Sequence, residues 1–186
     1  MKLAHLSLAD RAREMAKPEI KAAIMSETDV LVDQPGSMAN MYQLFQTAAM
    51  FLYPLADPVD YEPDPSEMLG SRAAATGQDV LDLLYDYLLE QDGAAMCALM
   101  GGPNVHDSQE VLRQMLIHPE TVTGLSDAGA HVTLICDATM PTTQLTFWAR
   151  DRHKGERLPL EFLVAKQTAR NADLYGLKDR GRLAVG

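Results

Sequence analysis

The fold is decided by residues 94–131, AAMCALMGGPNVHDSQEVLRQMLIHPETVTGLSDAGAH. The apolar run AAMCALM at 94–100 predicts a short buried strand, and a loop leads from it into the helix SQEVLRQMLIH. His118 ends that helix, because a residue that precedes proline disfavours helical backbone angles. TVTGL at 121–125 predicts another strand. The order strand, helix, strand is typical of the β/α alternation of a parallel sheet.

Amino-terminal to this stretch, local signals predict two short helices and a loop. Ser7 is the expected N-cap of the first helix, and Pro18 begins the second, since proline is tolerated where its missing N–H is not needed. The apolar runs between residues 30 and 53 do not distinguish helix from strand. Residues 54–65 are rich in proline and aspartate and therefore predict a loop without regular structure.

Two helices with clear ends follow that loop. Ser66 is the expected cap of EMLGSRAAAT, which Gly77 ends. The next helix, DVLDLLYDYLLEQ, carries one apolar stripe at helical spacing and ends at Asp92 and Gly93. The stripe consists of Val80, Leu81, Leu84, Tyr85, Leu88 and Leu89.

Carboxyl-terminal to the deciding stretch, a long loop leads into two further helices. Thr142 or Thr143 begins QLTFWARDR, and Pro159 begins LEFLVAKQTARNADLYG. A closed parallel barrel needs eight strands and about 250 residues. A chain of 186 residues with two evident strands therefore holds at most the final quarter of such a barrel and an insertion.

We therefore expect an α/β fold, the C-terminal portion of a (β/α)8 TIM-like barrel that is incomplete on its own. Residues 1–65 form a helical and loop-rich lead-in segment, and residues 66–186 form the last β/α units, a partial domain. Buried parallel strands need neighbours on both sides, so an isolated pair would leave hydrogen-bonding edges open.

The composition argues against several classes of function. With 16 basic and 26 acidic residues the net charge is −10, so a binder of nucleic acid or of anionic membranes, which needs a cationic face, is not expected. The first residues lack the apolar core of a secretory signal, and no segment approaches the ~18 apolar residues of a membrane span. Two cysteines, Cys97 and Cys136, are too few for a disulfide framework. We expect a cytoplasmic protein.

The residues that carry chemistry are expected in the loops that follow the predicted strands. Asp127 lies two residues beyond TVTGL, at the carboxyl end of a strand, where reactive groups of β/α proteins collect. The alternative is that its carboxylate caps a local turn. His106 and His131 fall in loops after strands, so each is a candidate ligand, proton carrier or substrate contact.

The other candidates carry less specific signals. His118 is expected to be structural, and His153 lies in RDRHKGER, which predicts a solvated turn. The guanidinium groups of Arg150 and Arg152 match the geometry of a substrate carboxylate, but exposed arginines at a helix end are commoner. The sequence contains no HxH, HExxH or CxxC pair, so it does not supply a recognisable zinc site by itself.

Two stretches carry a family likeness, HPETVTGLSDAGAHVTLICDATMPTTQLTFWARDR at 118–152 and LPLEFLVAKQTARNADLYGLKDRGRLAVG at 158–186. They resemble the C-terminal part of the metal-dependent amidohydrolase superfamily, with the nearest likeness to the N-acyl-D-amino-acid deacylase group. The resemblance implies a (β/α)8 barrel with Asp127 at the end of the eighth strand. There the carboxylate binds or neighbours a divalent metal, usually zinc, and takes a proton from the metal-bound water. His131 matches a histidine that lines the substrate site.

The sequence departs from this family in several respects. The HxH of the first strand, the histidines of two middle strands and the bridging cysteine or carboxylate are absent, so most ligands of a zinc site lie outside this chain. Neither Cys97 nor Cys136 matches the bridging cysteine. The arginine that holds the substrate carboxylate in many deacylases is not evident, and Arg150 is its nearest substitute.

The expected function is metal-dependent hydrolysis of an N-acyl amide bond, with a small N-acyl amino acid as substrate. Because most ligands are missing, the 186-residue chain is expected to be inactive alone. Its partner would be the missing amino-terminal half of the barrel or a second copy in a homo-oligomer. Two alternatives stay open. One is a non-catalytic remnant that serves as a binding module. The other is a metal-free hydrolase in which the side chains of Asp127 and His131 act together as the base.

Overall fold

The chain forms two compact units, Met1–Asp107 and Ser108–Gly186. The computed structural model describes residues 3–28, 33, 46–100, 108–124, 126, 128–129 and 137–185. Within these residues no helix combines the length and apolar character needed to cross a membrane. The units divide after Asp107, whereas the sequence-based segments divide after residue 65, and the assignment of 66–186 to barrel units stays a prediction.

The first two helices of the amino-terminal unit begin where the sequence predicts. Helix α1 spans Leu8–Met15, and the Ser7 hydroxyl accepts a hydrogen bond from the Asp10 N–H at 3.2 Å. Helix α2 spans Pro18–Met25 with proline in its first turn. Both caps act through local backbone chemistry, which explains why sequence alone was sufficient to find them.

The third helix begins later than predicted. Helix α3 spans Leu69–Thr76 and ends at Gly77, whose φ of 72° lies in the left-handed region, as expected. Its amino-terminal side is a short 3-10 turn, Pro65–Glu67, capped by Asp64 through the Ser66 N–H at 2.8 Å. Ser66 is therefore not the cap, and that prediction was wrong. The Asp64 carboxylate caps the 3-10 turn, and the helix itself begins after Met68, which makes no side-chain cap hydrogen bond.

Helix α4, Val80–Gly93, packs against α1. Asp79 caps it through the amides of Leu81 and Asp82, and its backbone leaves helical angles over Glu90–Asp92, close to the predicted stop. The predicted apolar stripe is only partly covered. Its Tyr85 is buried and donates to the Met15 carbonyl at 2.8 Å, whereas Leu88 is 40% exposed.

The two strands of the described residues form an antiparallel pair. Strand β1 spans Leu52–Pro54 and strand β2 spans Cys97–Leu99, with Tyr53 opposite Ala98. A strand within 94–100 is thus confirmed, but its parallel pairing and full burial are not, since Leu99 is 54% exposed. The partner comes from a run that sequence periodicity did not assign. Its last residue, Pro54, is also the first residue of the predicted loop, so the loop prediction was wrong at that residue.

The carboxyl-terminal unit contains helices and connecting segments. Its helices are α5 at Glu110–Ile117, α6 at Met140–Thr146, α7 at Leu160–Gln167 and α8 at Ala169–Leu174. Helix α5 ends before Pro119, as predicted. Helix α6 begins at Met140 rather than at the predicted threonines, with proline in its first turn, and continues into a π-helical turn, Phe147–Asp151. The helix predicted after Pro159 divides at Thr168, whose backbone angles are not helical.

Residues 121–124, which the sequence assigns to a strand, have no strand assignment in the structure. This prediction was wrong for the described residues, and with it the parallel pair that would have defined a barrel edge. The physical reason is visible in the hydrogen bonds. The carbonyls of Thr121 and Thr123 accept from side chains of the surrounding helices rather than from a neighbouring strand.

Candidate active site

Three of the four predicted site residues, Asp127, His131 and His106, lie outside the described residues. The same holds for Cys136. The structure does describe the segment immediately before Asp127, residues 121–124, which we call the approach segment. It also describes Arg150. The candidate active site is therefore built from the approach segment, from the helices that contact it, and from the π-helical turn that carries Arg150.

Side chains from three helices donate to the approach segment. Lys166 of α7 donates to both the carbonyl and the hydroxyl oxygen of Thr121, the latter at 2.7 Å. Asn171 of α8 donates through Nδ2 to the Thr123 carbonyl at 3.1 Å. Gln144 of α6 donates through Nε2 to the Thr123 hydroxyl at 3.2 Å. These bonds satisfy backbone acceptors that would otherwise need a strand partner.

Lys166 is almost completely buried, with only 1% of its surface exposed. Burial lowers the pKa of its ammonium group, and the nearby positive charge of Arg170 lowers it further. Its three donors have three oxygen acceptors, because a longer contact of 3.5 Å reaches the His118 carbonyl. A buried ammonium with a full set of acceptors fixes the position of the backbone that surrounds it.

The Thr121 hydroxyl connects Lys166 to the end of α5. It accepts from the Lys166 ammonium and lies 2.6 Å from the Met115 carbonyl, to which it donates. The carbonyl of His118 lies 2.9 Å away and is the alternative acceptor. His118 Nδ1 accepts from the Glu120 N–H at 3.2 Å, a local turn contact that agrees with its expected structural role.

The amide of Gln144 is oriented by a neighbouring glutamine. Gln167 Nε2 donates to Gln144 Oε1 at 2.6 Å and to the Pro141 carbonyl at 2.8 Å. Since the oxygen of Gln144 is occupied by this bond, its NH2 group faces Thr123. The approach segment is thus held by a connected set of polar side chains rather than by isolated contacts.

Arg150 lies on the outer side of the π-helical turn and pairs with its neighbour. Its Nε and Nη2 donate to the two carboxylate oxygens of Asp151 at 2.6 and 2.8 Å, and the arginine side chain is 71% exposed. The bond from Arg150 lowers the pKa of the Asp151 carboxyl. A substrate carboxylate would need the same fork of donors and would therefore have to displace Asp151.

Arg152 is buried, although the sequence predicts an exposed arginine at a helix end. Its guanidinium carbon lies 4.9 Å from the Trp148 ring centroid, and its nitrogens donate to the Glu156 carbonyl at 2.7 Å and to Glu110 at 3.1 Å. The prediction was wrong because the ring and the carbonyls that surround the guanidinium are brought there by the fold. The run RDRHKGER is therefore a solvated turn at His153 but not at Arg152.

Sequence reasoning missed Lys166, Asn171 and Gln144, because it examined the ends of strands and not the helices behind them. A signal for Lys166 was present. It lies three residues after Leu163, which is fully buried, so both side chains project from the same face of α7. A lysine on the core face of an apolar helix indicates a buried ammonium with dedicated acceptors.

A zinc or other divalent-metal site is not formed by the described residues. They contain no group of three or more histidine, cysteine, aspartate or glutamate side chains in a position to hold a cation. The donors that line the approach segment are an ammonium, amides and hydroxyls, and an ammonium repels a cation. None of these donors is therefore a metal ligand, and Asp127, the predicted ligand, lies outside the described residues.

The chain belongs to the amidohydrolase family, whose sequence pattern matches residues 68–186. Membership implies a TIM-barrel-like fold and hydrolase activity, and members generally bind divalent metals. No curated protein and no solved structure is significantly similar to this chain.

Proposed function

We propose that the chain is the C-terminal portion of an amidohydrolase that hydrolyses N-acyl amide bonds, with N-acyl-D-amino acids as substrates. Family membership over residues 68–186 supports the hydrolase. The observation that carries the proposal is the approach segment, since three helices donate side-chain hydrogen bonds to the residues that lead directly into Ser126 and Asp127. A backbone held this firmly is suited to carry a residue that must keep a fixed position during a reaction.

In this proposal Asp127 is the general base and the general acid. Its carboxylate takes a proton from the attacking water and later gives that proton to the leaving amine, so the acyl carbon exchanges its C–N bond for a C–O bond. A divalent metal, zinc in the first instance, would lower the pKa of the attacking water when it is bound. Asp127 is the ligand that we assign to it in this chain, and the remaining ligands belong to residues outside these 186.

The proposed substrate contacts are His131, His106 and Arg150. The two histidines follow Asp127 and strand β2 in the sequence, and we assign them to the acyl and amide groups. Arg150 is assigned to the carboxylate of the amino acid. In support of this role, its guanidinium donates two hydrogen bonds to the Asp151 carboxylate, which is the geometry that a substrate carboxylate would use.

We propose further that the chain alone is inactive. The reason is the absence of an HxH pair and of the other family ligands from its sequence. The missing ligands would be supplied by a polypeptide that carries them. The chain together with the polypeptide that supplies these ligands is called the complete enzyme below.

The proposal is tested by metal analysis and hydrolysis of an N-acetyl-D-amino acid. The chain alone should contain less than one equivalent of zinc and should not hydrolyse the substrate. The complete enzyme should contain zinc, hydrolyse the substrate and lose its activity with a chelator. Activity of the complete enzyme that resists chelation would support the metal-free Asp127–His131 alternative instead. A complete enzyme with neither metal nor activity would overturn the proposal and favour a binding module.

A further inference from the structure

The approach segment has an unusual set of neighbours. In the part of the chain that the structure describes, residues 121–124 pair with no strand, yet the carbonyls of Thr121 and Thr123 are both occupied. Their partners are the Lys166 ammonium and the Asn171 amide, which belong to consecutive helices. Side-chain donors thus satisfy the carbonyl groups of this segment, as main-chain N–H groups do in a sheet.

Lys166 is the strongest of these contacts. It is 99% buried, it carries a formal charge, unlike the amides of Asn171 and Gln144, and it contacts Thr121 at two oxygens. Its acceptors are neutral oxygens, so the ammonium gains its stabilisation from hydrogen bonds and not from an ion pair. Loss of either partner leaves a buried polar group unsatisfied, which makes the contact sensitive to substitution.

The site lies close to the proposed reaction in sequence. Thr121 precedes Asp127 by six residues and Thr123 precedes it by four, so an anchored Thr121–Thr123 backbone limits the positions open to Asp127. The amide of Asn171 anchors the second point. Two fixed points two residues apart restrict both the place and the direction of the chain.

We propose that Lys166 is a positioning residue for Asp127, acting through Thr121 and assisted by Asn171. This inference rests on the proposed function for the role of Asp127, but not for the anchoring itself. The ammonium of Lys166 touches neither substrate nor reacting atoms in this account. It holds the approach segment in place of strand neighbours, so that the carboxylate three residues beyond Gly124 starts from a fixed backbone.

The test measures local opening of the segment by cleavage with a glutamate-specific protease. Glu120 borders the approach segment and is exposed, and Glu19 in α2 is an exposed reference site in the other unit. Cleavage of a folded protein requires local opening and follows its equilibrium population. We expect Lys166→Met to speed cleavage after Glu120 about tenfold or more, the factor that loss of one hydrogen bond to a charged donor implies, and to leave cleavage after Glu19 unchanged.

Matched variants separate the hydrogen bonds from packing and charge. Lys178 is an exposed lysine of the same unit, so Lys178→Met should cleave as wild type does. Thr121→Val removes the hydroxyl acceptor and should speed cleavage after Glu120, whereas Thr121→Ser keeps it and should restore the wild-type rate. If Lys166→Met unfolds the whole chain, the comparison of Thr121→Val with Thr121→Ser decides, and equal rates for these two overturn the proposal.

In the complete enzyme, Lys166→Met and Thr121→Val should lower kcat for the N-acetyl-D-amino acid without changing KM or the zinc content. Thr121→Ser should stay active. Asp127→Asn should abolish hydrolysis without changing cleavage after Glu120. Unchanged cleavage in both Lys166→Met and Thr121→Val would remove the positioning role while leaving the proposed function intact. Full hydrolysis by Asp127→Asn would overturn the proposed function and, with it, the positioning role of Lys166.

Discussion

Arg152 lies with its guanidinium 4.9 Å from the ring centroid of Trp148, and its side chain is fully buried. The same guanidinium donates to Glu110 on α5 and to the Glu156 carbonyl, and so joins α5 to the turn that follows the π-helical segment. A planar cation with five donors satisfies the ring and both oxygens at once, which a point charge cannot do.

This geometry predicts that Arg152→Lys destabilises the protein although it keeps the charge. The lysine cannot lie flat on Trp148 or reach the Glu110 and Glu156 oxygens together, so we expect a loss of about 1–3 kcal/mol in the free energy of unfolding. Urea denaturation measures it. Arg180→Lys is the matched control, because Arg180 is exposed and pairs with its neighbour Asp179, and it should change stability by less than about 0.5 kcal/mol. Equal midpoints for the two variants would contradict the assignment.

The turn after Arg152 predicts a second effect on stability. A Cβ at Gly155 would lie 2.7 Å from Arg152 Nη2, and this nitrogen is held in place by hydrogen bonds. Gly77 also has a positive φ, 72° against 138° at Gly155, but open space around its Cβ position. Gly77→Ala should therefore cost only the left-handed backbone penalty of about 1 kcal/mol. Gly155→Ala should cost ~1–3 kcal/mol more, because of the overlap and because its φ lies outside the left-handed region that L-residues adopt. Thermal unfolding of the two alanine variants tests which one loses more stability. A smaller loss of stability in Gly155→Ala than in Gly77→Ala would contradict the geometry.

The pKa of Glu110 predicts a loss of stability in acid. Burial raises this pKa, but the hydrogen bonds and charges of Arg152 and Arg113 outweigh burial and lower it overall. A carboxyl whose pKa is lower in the folded state stabilises the fold above its unfolded pKa, and this contribution disappears as the pH falls through the folded value. Glu110→Gln should therefore lose less stability between pH 7 and acid than wild type does.

Denaturant midpoints of wild type and of Glu110→Gln, measured at neutral and at acid pH, test this expectation. If Glu110→Gln matched wild type at every pH, the arginine contacts to Glu110 would make no difference to stability.

Arg150 and Asp151 predict opposite effects on substrate affinity in the complete enzyme. Arg150→Ala removes the proposed partner of the substrate carboxylate and should raise KM about tenfold with little change in kcat. Asp151→Ala removes the competing carboxylate and should lower KM. Steady-state kinetics with an N-acetyl-D-amino acid and with its amide, which lacks the carboxylate, distinguish the two. An equal effect of Arg150→Ala on both substrates would remove Arg150 from substrate binding.

Local chemistry made the helix ends predictable. Ser7, Pro18, Gly77 and the His118-Pro119 pair act within one turn of the chain, so their effect can be inferred from neighbouring residues alone. The start of α3 was misplaced because the Asp64 carboxylate accepts from the Ser66 N–H and caps a separate 3-10 turn before the helix. The division of α7 from α8 at Thr168 carries no comparable sequence signal.

Long-range contacts account for what the sequence did not predict. The antiparallel partner of β2 lies more than forty residues away in the chain. The burial of Arg152 depends on Trp148 and Glu110, and that of Lys166 depends on Thr121, forty-five residues earlier. Asp127, His131 and His106 were chosen for their positions after predicted strands, and their roles stay predictions.

The central claim is that the Asp127 carboxylate moves the proton during amide hydrolysis. The most direct measurement is kcat/KM of the complete enzyme for an N-acetyl-D-amino acid, compared between wild type, Asp127→Ala and Asp179→Ala, where Asp179 is an exposed carboxylate paired with Arg180. We expect Asp127→Ala to reduce kcat/KM by about 100- to 10,000-fold and Asp179→Ala to leave it unchanged. Wild-type kcat/KM in Asp127→Ala would contradict the account.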